Sequence, residues 1–137
     1  MTDDELRQLI QGSMVVAVVG ASTDERKPSH QIPKILRERG FTMIPIHPKA
    51  TEILGQKAYP TLSDVPVAID IVDVFRPADE APDIAEQAAA IGARALWLQL
   101  GITSPQARAI AEAADLRYVE DRCIGETVNR LDLHAPG

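Results

Sequence analysis

The chain has 137 residues, 45% of them hydrophobic and 25% charged, with a formal net charge of −6. That length carries one domain around one apolar core, no stretch approaches the roughly 20 apolar residues of a membrane span, and the acidic balance argues against nucleic acid as the main partner. A single cysteine excludes an intrachain disulfide framework, and no Cys/His cluster has metal-ligand spacing.

Residues 1–13 read as a leading helix: Thr2 and Glu5 have capping-box spacing, and Leu6, Leu9 and Ile10 share a face before Gly12. The acidic start lacks the basic region of a secretory signal and fits a cytoplasmic protein. Residues 15–19, Val-Val-Ala-Val-Val, form an unbroken apolar run ending at Gly20, as expected of a central parallel strand covered on both faces. A polar loop and a helix carrying Ile32, Ile35 and Leu36 follow, with Pro28 and Pro33 near its start and Gly40 at its end. Strands are predicted over 41–46, 69–75, 95–100 and 116–119. Segment 51–66 reads as an irregular connection with a short strand near 57–59. Helices are expected after Asp79 or Pro82 and after the Ser104-Pro105 cap, 121–131 forms a last turn or short helix, and 132–137 is expected to be loose.

Strands alternating with helices predict an α/β, Rossmann-type three-layer αβα domain over 1–137. Its sheet should have five mainly parallel strands in the order 3-2-1-4-5, with a crevice between strands one and four. In such a sheet the carboxyl ends of the strands share one edge. That edge gathers Gly20-Ala21-Ser22, His47-Pro48-Lys49, Phe75-Arg76-Pro77, Gln99-Leu100-Gly101 and Asp121-Arg122-Cys123. Five converging loops of this composition indicate a ligand site.

Only the first glycine of a dinucleotide fingerprint is present, Ser22 and Glu25 standing at the other two positions. Gly20 still permits a tight turn, and Ser22 offers a hydroxyl and amide to a phosphate. NAD-binding folds place a carboxylate after strand two to hold the ribose; here the stretch is His47-Pro48-Lys49, and a cation there favours a phosphorylated ribose. Asp70 and Asp73 read as hydrogen-bond acceptors, Trp97 as core, and Cys123 as an inert thiol. No nucleophile–base arrangement is assigned, so no catalytic residue is named.

The blocks Val-Val-Gly-Ala-Ser (18–22), Ile-Pro-Ile-His-Pro-Lys (44–49), Asp-Ile-Val-Asp-Val-Phe-Arg-Pro (70–77), Trp-Leu-Gln-Leu-Gly-Ile (97–102) and Asp-Arg-Cys-Ile (121–124) together closely resemble the small stand-alone CoA-binding proteins. Their domain is similar to the nucleotide-binding domain of the succinyl-CoA synthetase α subunit. The resemblance implies that Gly20, Ala21, Ser22 and Thr23 contact the pyrophosphate of coenzyme A, with Lys27 or Ser29 nearby. It implies Pro48 and Lys49 at the 3′-phosphate, with His47 beside them, and Val74, Phe75 and Arg76 along adenine and ribose. Gln99, Leu100 and Gly101 would follow the pantetheine arm. Two departures stand out: the family usually has Asn where this chain has His47, and a Glu-His-basic run where it has Thr127-Val128-Asn129-Arg130. The expected function is therefore non-catalytic binding of CoA or an acyl-CoA, the alternative being an NADP-binding oxidoreductase-type domain. A homo-oligomer or a protein partner is left open.

Overall fold

In the computed structural model, which describes residues 1–137, α1 (Asp3–Gln11) leads into β1 (Val15–Val19). The remaining helices are α2 (Pro28–Glu38), α3 (Ala81–Ala90), α4 (Pro105–Ala113) and α5 (Ile124–Arg130). The remaining strands are β2 (Thr42–Ile46), β3 (Glu52–Ile53), β4 (Gln56–Lys57), β5 (Ile71–Val74), β6 (Ala95–Leu98) and β7 (Arg117–Val119). The pair β3–β4 is a separate antiparallel ribbon; the other five strands form one parallel sheet in the order β2-β1-β5-β6-β7.

That order corrects the expected one. Taken by appearance, the five long strands run 2-1-3-4-5: β5 pairs directly with β1, Val16 against Ile71 and Val19 against Val74, and the reversal falls between β1 and β5 rather than between β1 and β6. The place outside β2 is held by one residue, Tyr59, in a parallel bridge to Ile46. Its amide donates to the Pro45 carbonyl (3.0 Å) and its carbonyl accepts from His47 N (2.9 Å). Pro45 turns its missing N–H toward that outer edge and Pro60 follows Tyr59 at once, so the edge ladder ends after one residue.

Alternation along each strand divides the core. Val16, Val18, Ile71 and Trp97 pack with Leu6, Leu9 and Ile10 of α1, Leu36 of α2, and Ile124 and Val128 of α5. Ala17, Val72, Leu96 and Leu98 face the alanine-rich sides of α3 (Ala85, Ala88) and α4 (Ala107, Ala111), where small side chains let the two helices pack closely on the sheet. The sheet is thus covered on both faces, which is why β1 carries no polar residue. No helix is long and apolar enough to cross a membrane.

The expected capping box at α1 is present, Thr2 and Glu5 bonding each other's amides. Segment 132–137 departs from the expected loose tail at its near end: Leu133 is buried, its carbonyl accepts from Arg39 Nη1 (3.0 Å), and Ala135 N donates to Arg39 O (3.0 Å). At the amino end of the sheet, Asp70 Oδ2 accepts the amides of Met14 (2.8 Å) and Val15 (2.9 Å), joining the entrances of β1 and β5. Asp70→Ala orphans both amides. It should cost about 1–3 kcal/mol of stability, read as a lower denaturation midpoint at unchanged m-value.

Candidate functional site

At the carboxyl edge the chain leaves β1 through Gly20, whose φ of +91° is strained for any residue with a Cβ. Space forbids one as well: a Cβ there would lie 2.9 Å from Arg76 Cδ and 3.0 Å from the Phe75 carbonyl. The turn is stapled on both sides, Gly20 N donating to Ile46 O (3.2 Å) and Phe75 N to Val19 O (2.9 Å).

The loop beyond it is folded onto α2. Pro33 lies inside that helix, and a proline has no N–H for the carbonyl one turn back, that of Ser29. Ser29 O instead accepts the Ser22 amide (3.0 Å), and His30 Nδ1 bonds Ser22 O (2.7 Å). The Ser22 hydroxyl accepts from Asp24 N (3.0 Å). Ser22 therefore spends its amide on the protein, contrary to its expected role as an amide donor to phosphate. The amides of Ala21, Thr23 and Ser29 donate to nothing within the chain.

Helix α2 differs from α1 and α4 at its start. Those two carry Thr2 and Ser104 as side-chain caps, whereas α2 has Lys27 at the cap position with no capping bond, Pro28 in its first turn and no acidic residue there. With Pro28 lacking an N–H and the His30 amide donating to Lys27 O (3.0 Å), the Ser29 amide and the helix dipole open on the loop, an arrangement that favours an anion.

Two troughs meet at this point. One, about 720 Å³, runs from Gly20, Ala21 and Ser22 between His47-Pro48 and Phe75-Arg76 toward the start of α3. The other, about 490 Å³ and more apolar, is bounded by Ile32, Phe75, Gln99, Leu100, Ile102 and Cys123. Lys27, Ser29 and Phe75 belong to both. Lys27 makes no salt bridge, whereas Arg76 is bound to Glu80 (Nη2–Oε2 2.7 Å) on a wall that also carries Asp79 and Asp83.

Of the residues expected from sequence, Gly20, Ala21, Ser22, Lys27, Ser29, His47, Pro48, Phe75 and Arg76 line the first trough, and Gln99 and Leu100 the second. Four lie outside both walls. Val74 is buried in β5, Thr23 is exposed, Gly101 N is occupied by Asp121 Oδ1 (2.7 Å), and Lys49 stands on the surface. The reason for the last is His47: its Nδ1 accepts the amides of Lys49 (3.0 Å) and Ala50 (2.9 Å), curling the chain outward just after Pro48. Sequence reasoning missed Thr61, Leu62, Glu80 and Asp83 in the first trough and Ile32 in the second. A signal existed for the acidic pair, since a helix opening right after Phe75-Arg76-Pro77 must start at the same edge.

Beneath the second trough Asp73 is fully buried. Its Oδ1 accepts from Gln99 Nε2, and its Oδ2 has no partner. Burial pushes its carboxyl up to about 7, the Gln99 hydrogen bond opposing.

Residues 14–128 match the model of the family described as CoA binding domain. An uncharacterized protein of Bacillus subtilis is 32% identical over 120 residues, covering 88% of this chain and 89% of that protein. A solved structure from Thermus thermophilus superposes with a TM-score of 0.91 at 34% identity, covering 96% of this chain and 99% of its own. A hypothetical protein from Pyrococcus horikoshii gives 0.94 at 32%, covering 97% and 94%. An ADP-forming acetate–CoA ligase of Archaeoglobus fulgidus is 29% identical over an alignment 131 positions long that covers 88% of this chain and 19% of the ligase.

Two measurements test the local physics. Pro33→Ala restores a donor to Ser29 O. The Ser22 amide should then exchange hydrogen at least about tenfold faster while α2 itself gains helix propensity. For Asp73, the folded carboxyl holds its proton up to about pH 7 and the unfolded one only to about 3.9. Stability therefore falls as pH rises through that window and levels above it. Asp73→Asn should overtake the wild type by a few kcal/mol in urea unfolding between pH 4 and pH 8.

Proposed function

The chain belongs to the CoA-binding domain family, and on that premise we propose that it binds coenzyme A or an acyl-CoA as a binding module, a carrier or regulatory partner rather than a catalyst. The carrying observation is the junction of the two troughs at the uncapped start of α2, where Lys27, Ser29 and the unpaired amides of Ala21 and Ser29 converge. A pyrophosphate at this junction would send the nucleotide into the polar trough and the pantetheine arm into the apolar one. Phe75, common to both, stands at the bend.

Lys27 supplies the unpaired cation at the pyrophosphate. Lys49, next to the lining residue Pro48, reaches back from the rim to the 3′-phosphate. Arg76 exchanges its bond to Glu80 for the ribose side of the nucleotide. A binding role is supported by the histidines: His47 and His30 both commit Nδ1 to the backbone, and neither is paired with a nucleophile. The relatives named acetate–CoA ligases handle CoA, and the likeness to them spans less than a fifth of the Archaeoglobus ligase, so this reading carries over CoA recognition and not ligation. We place the protein in the cytoplasm, whose reducing conditions suit its single free thiol.

Isothermal titration with CoA, dephospho-CoA and NADP tests this. CoA should bind with one site, dephospho-CoA and NADP more weakly, and Lys27→Ala should weaken CoA by about tenfold, or ~1.4 kcal/mol. Lys49→Ala should erase the preference for CoA over dephospho-CoA. Tighter binding of NADP, or no binding of CoA, overturns the proposal.

A further inference from the structure

Gln99 and Asp73 form a polar pair beneath the apolar stretch of the second trough, away from Lys27 and Ser29 at its junction with the first. Gln99 is 4% exposed and Asp73 0%, and they are joined only by the bond from Gln99 Nε2 to Asp73 Oδ1. An ionised carboxylate accepts and never donates, so it must face the amide nitrogen of Gln99. The Gln99 carbonyl is thereby turned the other way. Its Oε1 accepts nothing within the protein, yet it is not among the sealed, partnerless atoms, and Gln99 lines the second trough. The trough thus presents one buried acceptor whose orientation is fixed from behind.

We infer that Asp73 is a positioning residue: it holds the Gln99 carbonyl toward the second trough as acceptor for an amide N–H of the ligand's arm, and protonation of Asp73 cancels that orientation. The inference rests on the CoA reading above, since the pantetheine arm of CoA carries two secondary amides. A protonated Asp73 becomes a donor and is matched by the Gln99 carbonyl instead of its nitrogen, so the amide turns over and shows N–H groups to an arm that needs an acceptor.

Nothing charged competes for this role. On the flanking strands Val18 and Trp97 stand opposite Asp73. On that face of the sheet the titratable groups near the trough are His30 within α2, tied to Ser22 O, Lys27 at the α2 cap and Cys123 at the α5 cap, and none bonds Asp73. Burial holds the proton on this carboxyl up to about pH 7, which brings the exchange into the neutral range. Binding the ionised form ties CoA affinity to proton release.

The sign follows: affinity for CoA rises with pH. Between pH 6 and pH 8 the ionised fraction of a group titrating near 7 grows about tenfold, and CoA affinity should grow with it. The ratio of wild-type to Asp73→Asn affinity, measured by titration calorimetry at pH 6, 7 and 8, cancels the ligand's own phosphate titration. That ratio should climb about tenfold for CoA and stay flat for adenosine 3′,5′-bisphosphate, which has no arm. Gln99→Leu keeps Asp73 and removes the acceptor, so it should bind CoA about tenfold more weakly at pH 8 and lose the extra slope; it decides the matter if Asp73→Asn does not fold. A CoA ratio that is flat with pH, or one equally steep for the arm-less nucleotide, overturns the inference while leaving CoA binding intact. Failure of the wild type to bind CoA at any pH overturns the functional reading itself.

Discussion

The site depends on one constraint, the in-register parallel pairing of β1 with both of its neighbours. Val15–Val19 aligns with Thr42–Ile46 on one side, and Val16–Val19 with Ile71–Val74 on the other, so three strands end at the same level. Gly20, His47 and Phe75 emerge side by side because of that register. Close approach then does the rest: with no side chain at Gly20, Arg76 and the Phe75 carbonyl lie against the turn. A slip of one residue would reverse the faces of β1 and separate the loops together.

Electrostatics at this edge run against the bulk charge. The protein is acidic as a whole, and the wall at the start of α3 adds to that, yet the junction offers the unpaired amides of Ala21 and Ser29, the dipole of α2 and one lysine without a salt-bridge partner. Local donors within a few ångströms outweigh a diffuse negative charge screened over a Debye length of about 8 Å. Asp73 is the counterexample in the core. A carboxyl sealed among apolar side chains with one oxygen unbonded costs stability at neutral pH, and its one bond fixes the Gln99 amide.

Much of this was legible in the residues, and the failures have physical causes. The apolar runs gave the five strands and their glycine and proline ends, and strand polarity alone brought the loops together. Strand order was misjudged because the short strand expected near 57–59 was left out of the five: its Tyr59 holds the edge place outside β2 through a single bridging residue, the place that the expected order gave to 69–75. Lys49 was expected at the cleft from its charge and from the resemblance, and the structure sets it at the rim, outside the trough wall. Its displacement comes from a side-chain-to-backbone bond of His47, the position where the resemblance leads one to expect Asn. The tail beyond residue 131 read as loose from its polar, proline-containing composition; Arg39, ninety-odd residues away in sequence, binds it through contacts no local pattern encodes. Ile32 was recognised as a core residue, and nothing in a helical period says that one edge of that face looks into a trough.

Pro33 bears on more than the local course of α2. By leaving the Ser29 carbonyl free, it makes an intrahelical defect the attachment point for the loop after β1. The spacing of four between the defect and the carbonyl it releases is then as binding a requirement as any contact residue. Deleting or adding a single residue between them would preserve helix, strand and glycine, and still detach the loop from its anchor. Chains sharing every visible block of this sequence would accordingly divide into those with an anchored loop and those with a free one, according to where a proline falls.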